Sequence, residues 1–400
     1  MKPRGTPETL RRGLNLLDNL FKRPYVNVYI GTSRNEEDAP TPVAEEMSVT
    51  IRDVARRAGV SVATVSRVLN EKGPVLQETR ARIQKTIAQL GYVPHGTARS
   101  LITRRTNTIG VLLPDIYGEF FSELIRGIDA TVRRAGCHLI VSSSHGDRSE
   151  TGEMVRAMRG RVDGLIVLSP DMSVPALRSS IPDSLPVVLL NSVSEGNGAF
   201  DLINLDNFRG ACTMVEHLAS RGHRRIAFLR GPAPNADAAE RLRGYREAMR
   251  ERGLDWTESL EFPGNFREDA GYRAGQRIAR MPHPPTAIFA ANDAMAIGCL
   301  AALREAGKSV PEDFALAGFD DIPIASFISP ALTSVRVSIA ELGASAAERV
   351  LHGVDSLNLH KRLHLTLPTT LVARGSSGGA PDSSRGSERR IRSIGRRKAQ

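Results

Sequence analysis

The residues best suited to chemistry in this chain fall into two groups, and neither has the spacing of a catalytic centre. The first is the polar and basic run Ser61-Val62-Ala63-Thr64-Val65-Ser66-Arg67, continuing to Asn70. An arginine can bond both O6 and N7 of guanine, worth about 1–3 kcal/mol against a wrong base, so Arg67 is the candidate base reader. Val62 and Ala63 can only touch thymine methyls or exclude bulk. Ser61, Thr64, Ser66 and Asn70 suit phosphate oxygens, which a helix N-terminus also attracts. The second group stands at the ends of apolar runs, where α/β folds bind ligands: Asn191 after PVVLL, Asn292 after AIFAA and Asp320 after FALAGF. There is no Gly-x-Ser-x-Gly, no phosphate-cradling Gly-rich loop after the first strand, and no His/carboxylate metal spacing. No enzyme, metal or cofactor is therefore expected, and His217 and His223, around a helix end, read as surface residues.

The first group needs a rigid, protruding support, and VTIRDVARRAGVSVATVSRVLN (49–70) supplies one. Ile51, Val54, Ala55 and Ala58 recur three or four apart, which places them on one helix face. Thr50 precedes them as N-cap, with Asp53 three residues on as a weak capping box. Gly59 breaks the helix. Ser61 caps a second one, whose inner stripe is Val65, Val68 and Leu69. So short a corner predicts a helix-turn-helix, with the second helix free to enter a major groove. A third helix over 76–90 turns Ile83, Ile87 and Leu90 inward and stops at Gly91.

Charge follows the same division. Residues 47–107 hold eleven Lys/Arg against Asp53, Glu71 and Glu78, a net +8. Residues 374–400 hold eight against Asp382 and Glu388, a net +6, while 1–46 balance; of the chain's +10, the body from 108 to 373 therefore carries −4. Positive charge confined to the helix-turn-helix segment and the tail is the footprint of a polyanionic partner. Cys137, Cys212 and Cys299 have neither metal nor disulfide spacing and are expected as small buried residues.

At this point the chain resembles the lactose-repressor family of bacterial transcription regulators. The motifs are VTIRDVARRAGVSVATVSRVLN, GYVPHGTARSL, TNTIGVLLPDI, VDGLIVL, HRRIAFLRG, ERLRGY, ANDAMAIG and AGFDDIPIASFISPALTSVR, in the family's order across roughly 49–373. The resemblance implies a DNA-binding set of Thr50, Ser61, Val62, Ala63, Thr64, Ser66, Arg67, Asn70, Arg99 and Leu101. Leu101 matches the family's intercalating leucine, on a basic hinge where an exposed leucine is otherwise odd. The hinge, 95–107, cannot bury a face alone and in the family becomes helical only on DNA; Gly96 lowers its helicity by about 1 kcal/mol relative to Ala. The resemblance also implies an effector set. Asn191, Arg241, Asn292 and Asp320 match the polar contacts, Phe266 the aromatic plate, and Asp115, Phe120 and Phe121 face the cleft from the first lobe.

From Thr108 onward, apolar runs (109–114, 138–144, 164–169, 186–191, 225–231, 287–293, 314–320) alternate with helical stretches at 119–135, 208–221, 239–252, 268–280, 293–306 and 338–352. Such alternation predicts parallel sheets covered by helices, and the length exceeds one compact sheet. The resemblance supplies the layout, two similar lobes with a ligand between them, so the expected architecture is an all-α helix-turn-helix domain (47–94), a hinge, and an α/β two-lobed, periplasmic-binding-protein-like effector domain with parallel sheets (108–373). Residues 1–46 are expected to be an extension ahead of a start at Met47, and 374–400 a disordered basic tail. The predicted protein is a cytoplasmic homodimer that binds operator DNA, responds to a small molecule, most simply a sugar, and has no membrane segment. Its rivals are a solute-binding protein without regulatory role, which has no use for a +8 helix-turn-helix, and a nucleobase-responsive co-repressor-dependent regulator.

Overall fold

The computed structural model describes residues 49–69, 73–92, 105–168, 177–182, 184–192, 200–356 and 362–379. Asn70, Arg99, Leu101, the proposed start and both chain ends beyond these limits lie outside the described residues. The chain divides after Val93 into two units.

The first unit packs α1 (Ile51–Ala58), α2 (Val62–Leu69) and α3 (Gln77–Leu90). The Asp53 carboxylate accepts both the Thr50 N–H (3.0 Å) and its hydroxyl (2.6 Å), which fixes the start of α1 and holds the Asp53 pKa below its ordinary value. Gly59 at φ 63° turns the chain into α2, a left-handed conformation that costs glycine little. Val54, Ala55, Ala58, Val65, Val68, Ile83 and Tyr92 close a small core. Leu76 stands before α3 without a side-chain cap and is exposed, so its position is a poor helix start.

In the second unit each lobe is built on one sheet. The first has order β11-β5-β4-β3-β1-β2, from β1 (Thr108–Leu113), β2 (His138–Ser143), β3 (Gly164–Leu168), β4 (Val187–Leu190), β5 (Asp201–Leu205) and β11 (His364–Leu367), all parallel. The second has order β12-β10-β9-β8-β6-β7, from β6 (Ile226–Leu229), β7 (Glu261–Phe262), β8 (Ala287–Ala290), β9 (Ala315–Asp320), β10 (Thr333–Arg336) and β12 (Thr370–Val372). Only β12 runs antiparallel there. The helices are α4 (Glu119–Arg134), α5 (Arg148–Met158), α6 (Asn207–Ser220), α7 (Ala236–Glu251), α8 (Glu268–Ala279), α9 (Asp293–Glu305) and α10 (Ile339–Asp355). The chain leaves the first sheet after β5, returns with α10, and crosses again between β11 and β12.

Helix pairs meet at glycines. A Cβ on Gly271 would lie 1.9 Å from the Met295 carbonyl, one on Gly298 1.9 Å from that of Glu268, and one on Gly127 2.0 Å from that of Ala340. These close approaches clamp α8 to α9 and α4 to α10.

The start of the C-terminal tail and His223 differ from expectation. His223 is fully buried rather than superficial; its ring bridges the Thr286 hydroxyl (3.0 Å) and the Gly378 carbonyl (2.7 Å). Ser376 and Ser377 are buried too, Ser377 against His217 (2.8 Å) and Thr333 (2.7 Å). The segment Arg374–Gly379 is thus bound to the second lobe, because its hydroxyls and carbonyls satisfy groups that would otherwise be buried unpaired. Cys299 is buried, its thiol pushed up to about 12 by desolvation, whereas Cys137 and Cys212 are only partly covered. Five strands (β5, β7, β10, β11, β12) and α5 have no counterpart among the expected elements.

Gly271→Ala should destabilise the second unit by about 1–3 kcal/mol, the usual penalty of overpacking. Urea denaturation measures this, and an unchanged midpoint would mean the two helices can slide apart freely.

Candidate functional site

On the first unit, Val65 and Val68 point into the core, so the opposite side of α2 is left outward. Val62, Ala63 and Arg67 are exposed there, and Thr64 and Ser66 are half-buried. The Ser61 hydroxyl accepts the Thr64 N–H (3.1 Å) and pairs with the Thr64 hydroxyl (2.9 Å), capping α2. Thr50 is similarly engaged by Asp53. The Ser61 and Thr64 hydroxyls shape the N-terminal end of α2 as Thr50 does that of α1, and Arg67, one turn beyond Ala63, completes a face with apolar contact at one end and a planar cationic fork at the other.

In the second unit the polar strand-end residues converge around one guanidinium. Arg241, on α7, is 3% exposed. Its Nε donates to Asn207 Oδ1 (2.8 Å), Nη1 to the Ala291 carbonyl (2.6 Å), and Nη2 lies 3.0 Å from Asp320 Oδ1. The guanidinium carbon sits 3.8 Å from the Phe319 ring centroid and 5.7 Å from that of Phe266. Every nitrogen of Arg241 already has a protein partner, so its first role is to hold the carboxylate and the aromatic plate in place. Burial pushes the Asp320 carboxyl up to about 6, against the opposing pull of Arg241.

Asn292 is also committed. Its amide oxygen accepts the Met295 N–H (3.1 Å), capping α9, and its nitrogen donates to the Phe266 carbonyl (2.9 Å). That bond helps hold Phe266 at φ 66°; Asn191 (φ 50°) and Asp320 (φ 101°) share the left-handed region. Such conformations cost about 1–3 kcal/mol each in non-glycine residues and gather where function fixes the backbone. The Asn191 Oδ1 is buried without a hydrogen-bond partner, and Asp320 Oδ1 has only its ion pair with Arg241. Buried acceptors of this kind are the places where a ligand's donors fit.

The first lobe contributes the rim. Asp115 Oδ1 accepts the Ile116 and Tyr117 N–H groups (2.7 and 3.0 Å), and its Oδ2 faces Arg267 of the other lobe at 3.9 Å. Arg267 also covers the Tyr117 ring (4.7 Å), and the Glu119 carboxylate accepts the Ile324 N–H (2.9 Å). Phe120 and Phe121 are half-buried and meet edge to face at 5.5 Å.

Three participants escaped the sequence reading. Asn207 Nδ2 donates to Asp237 Oδ1 (2.7 Å), joining Asp237 to Arg241. Burial raises the Asp237 carboxyl to about 6; Arg241 opposes this, Asp320 adds to it, and hydrogen bonds from Asn191 and Asn207 oppose it. Asp293 is fully buried, accepting from Ser334 (2.6 Å) and the Ile322 N–H (2.9 Å), and its carboxyl is pushed well up by desolvation and Asp320. The i,i+4 spacing of Asp237 and Arg241 on one helix was the available signal.

A helix-turn-helix with an outward basic face, joined in one chain to a two-lobed body with a polar cleft, defines a DNA-binding transcription regulator. Residues 50–95 match the model of bacterial regulatory proteins of the lacI family, and 215–377 that of the periplasmic binding protein-like domain. The chain is 35% identical over 331 residues to the ribose operon repressor of Escherichia coli K12, covering 82% of this chain and 99% of that protein. Its fold matches the lac repressor dimer bound to operator and the anti-inducer ONPF (TM-score 0.73, 28% identity, 83% of this chain, 99% of that one). It also matches a LacI family regulator from Enterococcus faecium with bound ribose (TM-score 0.62, 30% identity, 69% and 100%). The chain belongs to the lacI family of bacterial regulatory proteins. Among the described residues no helix is long and apolar enough to cross a membrane.

The raised Asp320 carboxyl has a consequence for stability. A folded-state pKa of about 6 against an ordinary 3.8 means the folded chain binds more protons. Its contribution is full below about pH 4 and is lost as pH rises through about 6. Chemical denaturation at several pH values should show wild type losing stability over that window relative to Asp320→Asn; parallel profiles would contradict this.

Proposed function

We propose that this chain is a homodimeric repressor of a sugar-utilisation operon, with no catalytic activity, working in the cytoplasm. The observation that carries it is the pairing of an exposed basic reading face on α2 with a cleft built of carboxylates, amides and one aromatic plate. The repressor similar to it over 82% of its length is named for a ribose operon, and a structural relative holds ribose. Arg67 would contact a base edge, Val62 and Ala63 would set sequence choice, and Leu101 would wedge a base step in the minor groove. A solute-binding protein without a DNA partner has no use for the +8 segment. A nucleobase would want more aromatic surface than Phe266 and Phe120 offer.

The effector would be a small neutral polyol whose hydroxyls donate to Asp320 and pair with Asn191 and Asn292. By binding the open and closed arrangements of the lobes unequally, it would shift the population competent to hold DNA.

Two measurements test this reading. Operator affinity should fall about 10³–10⁵-fold between about 50 and 200 mM salt if about six to ten phosphates are neutralised per dimer; a salt-insensitive gel shift, or full affinity as a monomer, contradicts it. Calorimetric titration should find a neutral sugar that binds and a sugar phosphate that does not, with Asp320→Ala abolishing the sugar. Tight binding of the phosphate would overturn the effector assignment.

A further inference from the structure

The cleft contains more acceptors than one sugar-reading carboxylate would supply. Asp237 and Arg241 lie four residues apart on α7, and Asn207 bridges them: its Nδ2 donates to Asp237 (2.7 Å) while its Oδ1 accepts from Arg241 (2.8 Å). Asp320 meets the same guanidinium from β9 at 3.0 Å. Arg241 thus pairs directly with Asp320 and is joined to Asp237 through Asn207. Asn191, from the first lobe, gives Asp237 a hydrogen bond while its own Oδ1 has no donor. Unlike Asp320 and Arg241, Asp237 keeps partial solvent access, as expected of a group lining a cleft between lobes.

The remaining charges leave this imbalance in place. Asp293, at the head of α9, adds a further carboxyl, already occupied by Ser334 and the Ile322 N–H. Asp321 is answered by Arg336 (2.7 Å) and Arg374 (2.6 Å). From the first lobe, Asp115 faces Arg267 at 3.9 Å. No other cation is recorded at Asp237 or Asp320 among the described residues.

We propose that Asp237 is a second effector-reading carboxylate, paired with Asp320 across Arg241, and that the pair selects a ligand presenting neighbouring hydroxyl or ammonium donors while rejecting acids and phosphates. This rests on the polyol reading above and adds to it a specificity residue and a proton linkage. Burial raises both carboxyls to about 6, and Asp320 adds to the rise at Asp237, so both gain protons as pH falls through that range. A ligand hydroxyl donates best to the ionised form, so binding drives protons out to the buffer. Affinity therefore rises as pH is raised from about 5 through about 7 and then levels off.

The test is calorimetry on the full-length protein with the sugars ribose, glucose and galactose, and with ribose 5-phosphate, at pH 6 in two buffers of different ionisation heat, and at pH 5.5 and 7.5 in one. Wild type should show buffer-dependent heat, corresponding to proton release, and several-fold tighter sugar binding at pH 7.5. Asp237→Asn should bind the same sugar about tenfold or more weakly, release fewer protons, and narrow the preference for ribose over ribose 5-phosphate. Buffer-independent heat with pH-independent affinity in wild type overturns the proposal while leaving the sugar reading intact, as does an Asp237→Asn protein indistinguishable from wild type. Failure of wild type to bind any of the three sugars removes the reading itself and this inference with it. Should Asp237→Asn not fold, the wild-type buffer and pH series decides alone.

Discussion

The buried Arg241 guanidinium is the interaction on which the ligand-binding body depends. A charge taken out of water is costly unless it is paired and hydrogen-bonded, and the cost of breaking such a pair, about 3–5 kcal/mol, exceeds that of most single contacts. Here the charge is satisfied by four groups from three elements: Asn207 at the start of α6, Ala291 beyond β8, and Asp320 with the face of Phe319 at the end of β9. Each of those elements is thereby fixed relative to α7. The strained backbones of Phe266 and Asp320 are tolerated because this network and the Asn292 bond hold them.

The close glycine contacts serve the same end from outside. Helices that meet backbone to backbone, as α8 and α9 do at Gly271 and Gly298, leave no layer of side chains to slip. The cleft floor of the second lobe is therefore a rigid surface. The rim differs in kind: Asp115 to Arg267, Tyr117 to Arg267 and Glu119 to the Ile324 N–H are few contacts between polar or partly exposed groups. Interactions of that sort are worth little individually in water. A body with a fixed floor and a lightly tied rim suits two arrangements of its lobes separated by a small free energy, which a ligand's differential affinity can bias.

The DNA-reading unit obeys another constraint, that of size. Its core holds few side chains, among them Val54, Val65, Ile83 and Tyr92, and caps such as the Asp53 carboxylate on Thr50 matter in proportion. Spending the Thr50 and Ser61 hydroxyls on helix starts orients α2 so that Arg67, Ala63 and Val62 share its outward face.

The sequence by itself determined the helix-turn-helix, the alternation of strand and helix, and the residues on the outward face of α2, because those rest on local periodicity and capping that a short window contains. It also marked Asn191, Arg241, Asn292 and Asp320 by motif. Only the tertiary structure decided what these residues do. Arg241 and Asn292 spend their polar groups on protein partners, and Asp237, unremarkable in NADAAERL, becomes a cleft carboxylate because Asn207, thirty residues earlier, lies against it. Strands such as β11 and β12 escaped the sequence reading because each is short and pairs with strands far away in the chain. His223 and Ser376–Ser377 were misread for a related reason. Polar residues next to Gly resemble surface until a distant segment supplies their hydrogen bonds, and only folding brings that segment to them.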